Sequence, residues 1–193
     1  MKCEIVGERV KISKNKTKEI FAQSLKKISN IKSIEKISVK DIVNDCGLSK
    51  TTFYNHFRDK FDLAAWIYST SAEKIMNKII SENYSWKDSL TDGINYFFDN
   101  RIFLKNLILN TKGQDSFINY VANFNVKILS DYIKKVHNLK NLPKDIEIYI
   151  KIYCYGTVCT ICEMLIKDFP IPVDDFVNLL ENSLPEPLKK FLY

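Results

Sequence analysis

Within residues 38–57, SVKDIVNDCGLSKTTFYNHF, the chain carries two helix starts separated by one helix stop. Ser38 and Asp41 have capping-box spacing, in which a hydroxyl and a carboxylate satisfy the first free amides of a helix. Val39, Ile42, Val43 and Cys46 follow at i, i+3, i+4 and i+7, one apolar stripe. Gly47 ends that helix, because the residue after the last turn is often left-handed and glycine takes that conformation without penalty. Ser49 then offers a second cap, and a third helix is expected through His56. Two helices this short, joined by a turn this tight, describe a helix-turn-helix.

The second of the two is unusual in what it exposes. Leu48, Phe53 and Phe57 are its apolar anchors. Lys50, Thr51, Thr52, Tyr54, Asn55 and His56 are left for the outer face. A helix exposed only for solubility would be better served by Glu and Lys. In a DNA major groove the same side chains have work to do. Thr methyls touch thymine, Asn pairs with adenine, and Lys reaches guanine or phosphate. Tyr and His bond phosphate oxygens. Lys60 adds a cation near the start of the next helix, where backbone amides already favour an anion.

Charge points the same way. Residues 1–60 hold 14 Lys/Arg against 7 Asp/Glu, whereas residues 61–193 hold 15 against 16. The whole excess of +6 therefore belongs to the first third, as expected of a part that meets nucleic acid or another anionic surface. A lysine-rich solvated surface is the alternative on charge alone. Lys11, Lys14, Lys16 and Lys18 read either as a minor-groove arm or as a solvated end. The five cysteines, Cys3, Cys46, Cys154, Cys159 and Cys162, are odd in number and irregularly spaced. With no apolar core of signal length near the N-terminus, a reducing cytoplasm is expected. The most apolar run, 146–166, contains Glu147, Lys151, Gly156 and Glu163. A span wants about 20 nearly uncharged residues, so no membrane association is expected.

Helical periodicity continues to the end, and the fold class is all-α. Helices are expected over 14–29, from Asp59 to about Glu82, and over 86–99, 101–111, 115–137, 144–168 and 173–183. Pro143, Pro170 and Pro172 punctuate the last of these. The division is 1–60 for the helix-turn-helix domain and 61–193 for a larger helical domain. The aromatic residues Tyr96, Phe97, Phe103, Phe117, Tyr120 and Phe124 fall in the middle helices, as pocket lining or as plain core. Trp86 reads as a staple at a helix start. Cys159 and Cys162 form a CxxC with Cys154 nearby. Cys154 and Cys159 point about 140° apart on a helix, so buried structural cysteine is favoured over a redox or metal site. The 146–166 helix has no polar face and must be covered on both sides, one of them by a second subunit. Phe176, Val177, Leu179, Leu180 and Leu184 offer further surface for that pairing. Neither a Gly-rich phosphate loop nor a GxSxG is present, so nothing points to an enzyme or a cofactor.

Residues 38–63, SVKDIVNDCGLSKTTFYNHFRDKFDL, resemble the DNA-binding region of the TetR family of bacterial regulators. The shared features are Ile42 and Val43, then Gly47, Leu48 and Ser49, then Tyr54, His56 and Phe57, and finally Lys60 and Leu63. The resemblance covers about residues 14–70. It implies a three-helix DNA head, a connecting fourth helix, and a helical ligand-binding and dimerisation body. It also implies that Tyr54, His56 and Lys60 contact the DNA backbone and that Lys50, Thr51, Thr52 and Asn55 read bases. Two positions depart from the family's pattern. Thr51 stands where many members have a small residue, so no operator sequence transfers. Val39 stands where many have a phosphate-binding Thr, and Ser38 and Lys40 are expected to take over. The DNA-contacting set is therefore Ser38, Lys40, Ser49, Lys50, Thr51, Thr52, Tyr54, Asn55, His56 and Lys60. WIY at 66–68 and TKGQDSFINYV at 111–121 look more loosely like a subgroup that activates dihydroxyacetone-kinase operons. The expected partners are a palindromic double-stranded operator, a second copy of the chain, and a small-molecule or protein effector. Three readings remain: an effector-released repressor, an activator under a protein partner, or a helical interaction module without DNA binding.

Overall fold

The computed structural model describes residues 14–80, 84–113, 116–167 and 171–193. Among these the protein is all-helical, with ten α-helices and one 3-10 turn. The helices are α1 (Lys14–Ser29), α2 (Val39–Cys46), α3 (Lys50–Tyr54), α4 (Lys60–Ile80) and α5 (Trp86–Asp99). They continue as α6 (Arg101–Leu109), α7 (Phe117–Val136), α8 (Lys144–Lys167), α9 (Val173–Asn182) and α10 (Glu186–Leu192). Three expected helix ends, at Glu82, Asp115 and Asp168, fall outside the described residues, as does Lys11.

The local signals act as their chemistry dictates. Ser38 and Asp41 form a complete capping box, and so do Ser85 and Asp88. Gly47 is left-handed at φ 70°, and its amide and that of Leu48 both return to the Val43 carbonyl. Asp59 caps α4 by accepting from the amides of Phe61 and Asp62.

The head is α1 to α3 around Phe21, Phe53 and Phe57. Phe53 is fully buried and meets Phe21 edge-on at 5.2 Å. Burying such a ring stabilises by roughly 1.5–3 kcal/mol, which holds so short a helix in place. Ser24 on α1 donates to the Ile42 carbonyl on α2 at 3.0 Å. In the body α8 lies along α7, with α5, α6 and α10 also against it, while α5 packs on α4 and α9.

Several expectations need correction. α3 ends at Tyr54, so Asn55 and His56 lie in the closing turn, with the His56 amide reaching only Phe53. The 3-10 turn at Ile34–Lys36 and α10 were not foreseen. Phe176, Val177, Leu180 and Leu184 are buried within the chain, so they offer no surface to a second copy; of the five only Leu179 is exposed. α8 is long and apolar enough to cross a membrane by length and composition, despite its charged residues. Its Ile146, Ile150, Val158, Ile161 and Leu165 are nevertheless buried in the chain's own core, as in the central helix of a globular body.

Candidate nucleic-acid interface and internal cavity

The outer face of the head carries most of the residues read from the sequence. Lys40, Lys50, Thr51, Tyr54 and Asn55 are exposed, and Thr52 and His56 are half-buried. Tyr54 leans edge-on against Phe53 at 5.6 Å and is itself exposed. His56 packs between Phe21 and Phe57, with centroids 6.4 and 6.3 Å away.

Three of the residues are committed elsewhere. Ser38 accepts from the Asp41 amide and donates to the Asp41 carboxylate. Asp41 also pairs with Lys32 at 2.9 Å, and these contacts hold its carboxyl well below the usual carboxylate range. The Ser49 hydroxyl caps α3 through the Thr52 amide and lies 2.8 Å from the Thr52 hydroxyl. Lys60 donates to the carbonyls of Glu35 at 2.8 Å and Ile37 at 2.7 Å. Partial burial pushes its ammonium below the ordinary lysine value. Arg58, not singled out from the sequence, stands exposed just beyond α3; its amide donates to Asp62 at 3.0 Å, and its guanidinium lies a loose 3.7 Å from the same carboxylate. A cation after an exposed aromatic was its only sequence signal.

Between α4, α5, α7 and α8 lies a cavity of about 130 Å³. Tyr96 and Phe97 line it. Phe103, Phe117, Tyr120 and Phe124 lie outside it. Phe103 is buried near the head, with Lys26 5.9 Å over its ring. Phe117 and Tyr120 border a separate open cleft beside the start of α4. Phe124 stacks on Tyr120. The sequence reading missed Tyr68, Trp86, Asn125 and Tyr153 as lining. Tyr68 donates to Asn125 at 2.6 Å, and burial pushes its phenol far above the ordinary value. Tyr153 donates to the Leu180 carbonyl at 3.1 Å. The Trp86 indole N–H and the Tyr96 hydroxyl are buried without a hydrogen-bond partner of proper geometry.

Head and body meet through asparagines. Asn106 on α6 accepts from the Ile34 amide and donates to the carbonyls of Ser29 and Lys32, each at 2.8 Å. Lys26 on α1 donates to Asn100 at 2.6 Å and sits 5.9 Å over the Tyr96 ring. Of the cysteines, Cys154 and Cys162 are buried and Cys159 is exposed. Burial pushes both buried thiols up to about 12. No cluster of three or more His, Cys, Asp or Glu suited to a metal occurs among the described residues.

Residues 32–66 match the family described as bacterial regulatory proteins, tetR family. Residues 84–186 match a transcriptional regulator C-terminal region, designated TetR_C_8. The chain is 26% identical over 147 residues to the HTH-type dhaKLM operon transcriptional activator DhaS of Lactococcus lactis subsp. lactis (strain IL1403), spanning 75% of this chain and 76% of that one. Among solved structures it resembles a dihydroxyacetone kinase operon activator DhaS, with a TM-score of 0.63 at 20% identity, covering 92% of this chain and 98% of the other. A TetR transcriptional regulator from Streptococcus agalactiae 2603V gives a TM-score of 0.62 at 14% identity, covering 90% and 96%. With the head and most of the body both matched, the chain belongs to the TetR family of DNA-binding transcriptional regulators.

Proposed function

We propose that the protein is a cytoplasmic, homodimeric repressor that leaves its operator when a small molecule enters the body. The observation that carries this reading is the outer face of α3 and its closing turn, where Lys50, Thr51, Tyr54 and Asn55 stand exposed over a fully buried Phe53. Residues 1–60 act as the reading head and 61–193 as the sensing and pairing body. Lys50, Thr51, Thr52 and Asn55 read bases. Tyr54, His56, Lys40 and the ends of α2 and α3 at Ser38 and Ser49 meet the phosphates, with Lys60 behind them. The exposed stripe of α8, Ile148 and Ile152, together with Leu179 of α9, supplies the apolar surface that a second copy covers. Two heads about 34–36 Å apart then read a near-palindrome, because one short helix reads too few bases alone. An effector acts by binding one head spacing better than the other.

A second reading, an activator governed by a protein partner, is favoured by the similarity to the dhaKLM operon activator. The test is footprinting on the gene's own upstream DNA, followed by transcription in vitro with purified polymerase. A protected near-palindrome and less transcript support the repressor; the same footprint with more transcript supports the activator. Asn55→Ala should change the base preference at one step of each half-site, by about 1–3 kcal/mol for a good base contact. Failure to protect any upstream sequence would remove the DNA-binding reading.

A further inference from the structure

The body's cavity has a composition that selects among ligands. Among the described residues no Asp, Glu, Lys, Arg or His lines it. A charged ligand would lose its hydration there without gaining a counter-charge. The volume of about 130 Å³ is close to one aromatic ring, since an engineered apolar cavity of about 150 Å³ holds benzene. The walls are themselves rings: Tyr68, Trp86, Tyr96, Phe97 and Tyr153. Such walls favour offset and edge-on contact with another ring.

Two poorly paired donors lie just behind the apolar lining. Trp86 is 6% exposed, and its indole N–H lacks a partner of proper geometry, with the Tyr153 hydroxyl as its near, poorly aligned acceptor. The Tyr153 hydroxyl beside it gives its own proton to the Leu180 carbonyl. The Tyr96 hydroxyl is likewise buried without a partner of proper geometry; Ser71, its near acceptor, gives its own proton to the Ile67 carbonyl at 3.2 Å. A buried donor left poorly paired is costly, and an acceptor placed in the cavity recovers part of that cost.

We propose that the cavity binds a neutral, single-ring aromatic compound bearing a carbonyl or hydroxyl oxygen, which accepts a hydrogen bond from Trp86 or Tyr96. The inference rests on reading the cavity as the effector site and names the class of effector.

The experiment is calorimetric titration of the full chain with acetophenone, toluene and benzoate, the last at neutral pH. Acetophenone should bind roughly three- to tenfold more tightly than toluene, the worth of one hydrogen bond, and at least tenfold more tightly than benzoate. Trp86→Phe or Tyr96→Phe should erase the advantage over toluene while toluene binding persists. Gly93→Leu fills the cavity from α5, where an added Cβ meets nothing within 4 Å. That variant should fold with its Tm no lower and bind none of the three probes. Benzoate binding as tightly as acetophenone overturns the inference. So does an acetophenone-to-toluene ratio unmoved by both ring substitutions, or no binding of any probe. The unliganded protein's shift of upstream DNA is measured in parallel. Its persistence confines such a failure to the ligand class, and its loss in the wild type marks failure of the DNA-binding reading instead.

Discussion

The Lys60 ammonium lies 2.7 Å from the carbonyl oxygen of Ile37, so the first residue of α4 holds the turn that leads into α2. A second bond to the Glu35 carbonyl occupies another of its three protons. Lys60 is thus a strut inside the head before it is a cation facing DNA. Lys60→Met should lower Tm by about 2–4 °C, the effect of about 1 kcal/mol in a chain of this size. Operator affinity should fall with it. A pure phosphate contact would instead lower the salt slope by about one unit and leave Tm alone. Thermal melts beside salt-dependent binding of the one variant separate the two.

Asn106 offers a sharper case. Its amide satisfies one backbone N–H and two carbonyls of the α1–α2 connection at once. Asn106→Ala strands all three and should cost about 2 kcal/mol. Hydrogen exchange at the Ile34 amide should rise while exchange in the α7–α8 core stays slow. Uniform acceleration throughout the chain would mean that the contact is global and not a local clasp.

For pairing through α8, Ile152→Glu is the informative change. Ile152 is 62% exposed in the single chain, so the substitution leaves the fold intact and places a charge on the proposed seam. Sedimentation should give a species near 22.5 kDa in place of a dimer. Cys159, exposed in the single chain, should alkylate faster in that monomer than in the wild type. A variant that stays dimeric places the interface elsewhere.

The buried acids set an alkaline limit. Cys154 and Cys162 are raised from 9.0, and Tyr96 from 10.0, each to about 12. The unfolded chain therefore loses these protons first. Their contribution to stability is complete below about pH 9 and disappears as pH climbs towards 12. Tm should be level in this respect up to pH 8.5 and decline above 9. Cys162→Ala should make the decline shallower, whatever it does to Tm at pH 7. An identical slope in the variant would remove that thiol from the account.

What could be read from the chain in advance was what depends on neighbours in sequence. The capping box at Ser38 and the glycine stop at Gly47 close within three or four residues, so their chemistry is written locally. The outward side chains of α3 were legible because a polar helix between buried phenylalanines has few other uses. Leu179 and Leu180 were not separable: adjacent residues differ by about 100° around a helix, and only the packing of α9 on α5 decides which is covered. The cavity was harder still. Trp86 is a plausible staple until Tyr153, from a helix 67 residues later, is seen beside it at 6.5 Å. The bonds of Lys60 reach back 23 and 25 residues to main-chain oxygens, which carry no mark in a sequence.

Tyr96 is shared property. It lines the cavity, and its ring receives the Lys26 cation from the first helix of the head. On the proposed reading of the cavity, any substitution there alters both what the body senses and how the head is told. A lineage seeking a new inducer would pay in response for every gain in recognition at this position. Change in effector choice should therefore accumulate on the walls that α7 and α8 supply, at Ile128 or Thr157, leaving Tyr96 as the point about which it drifts.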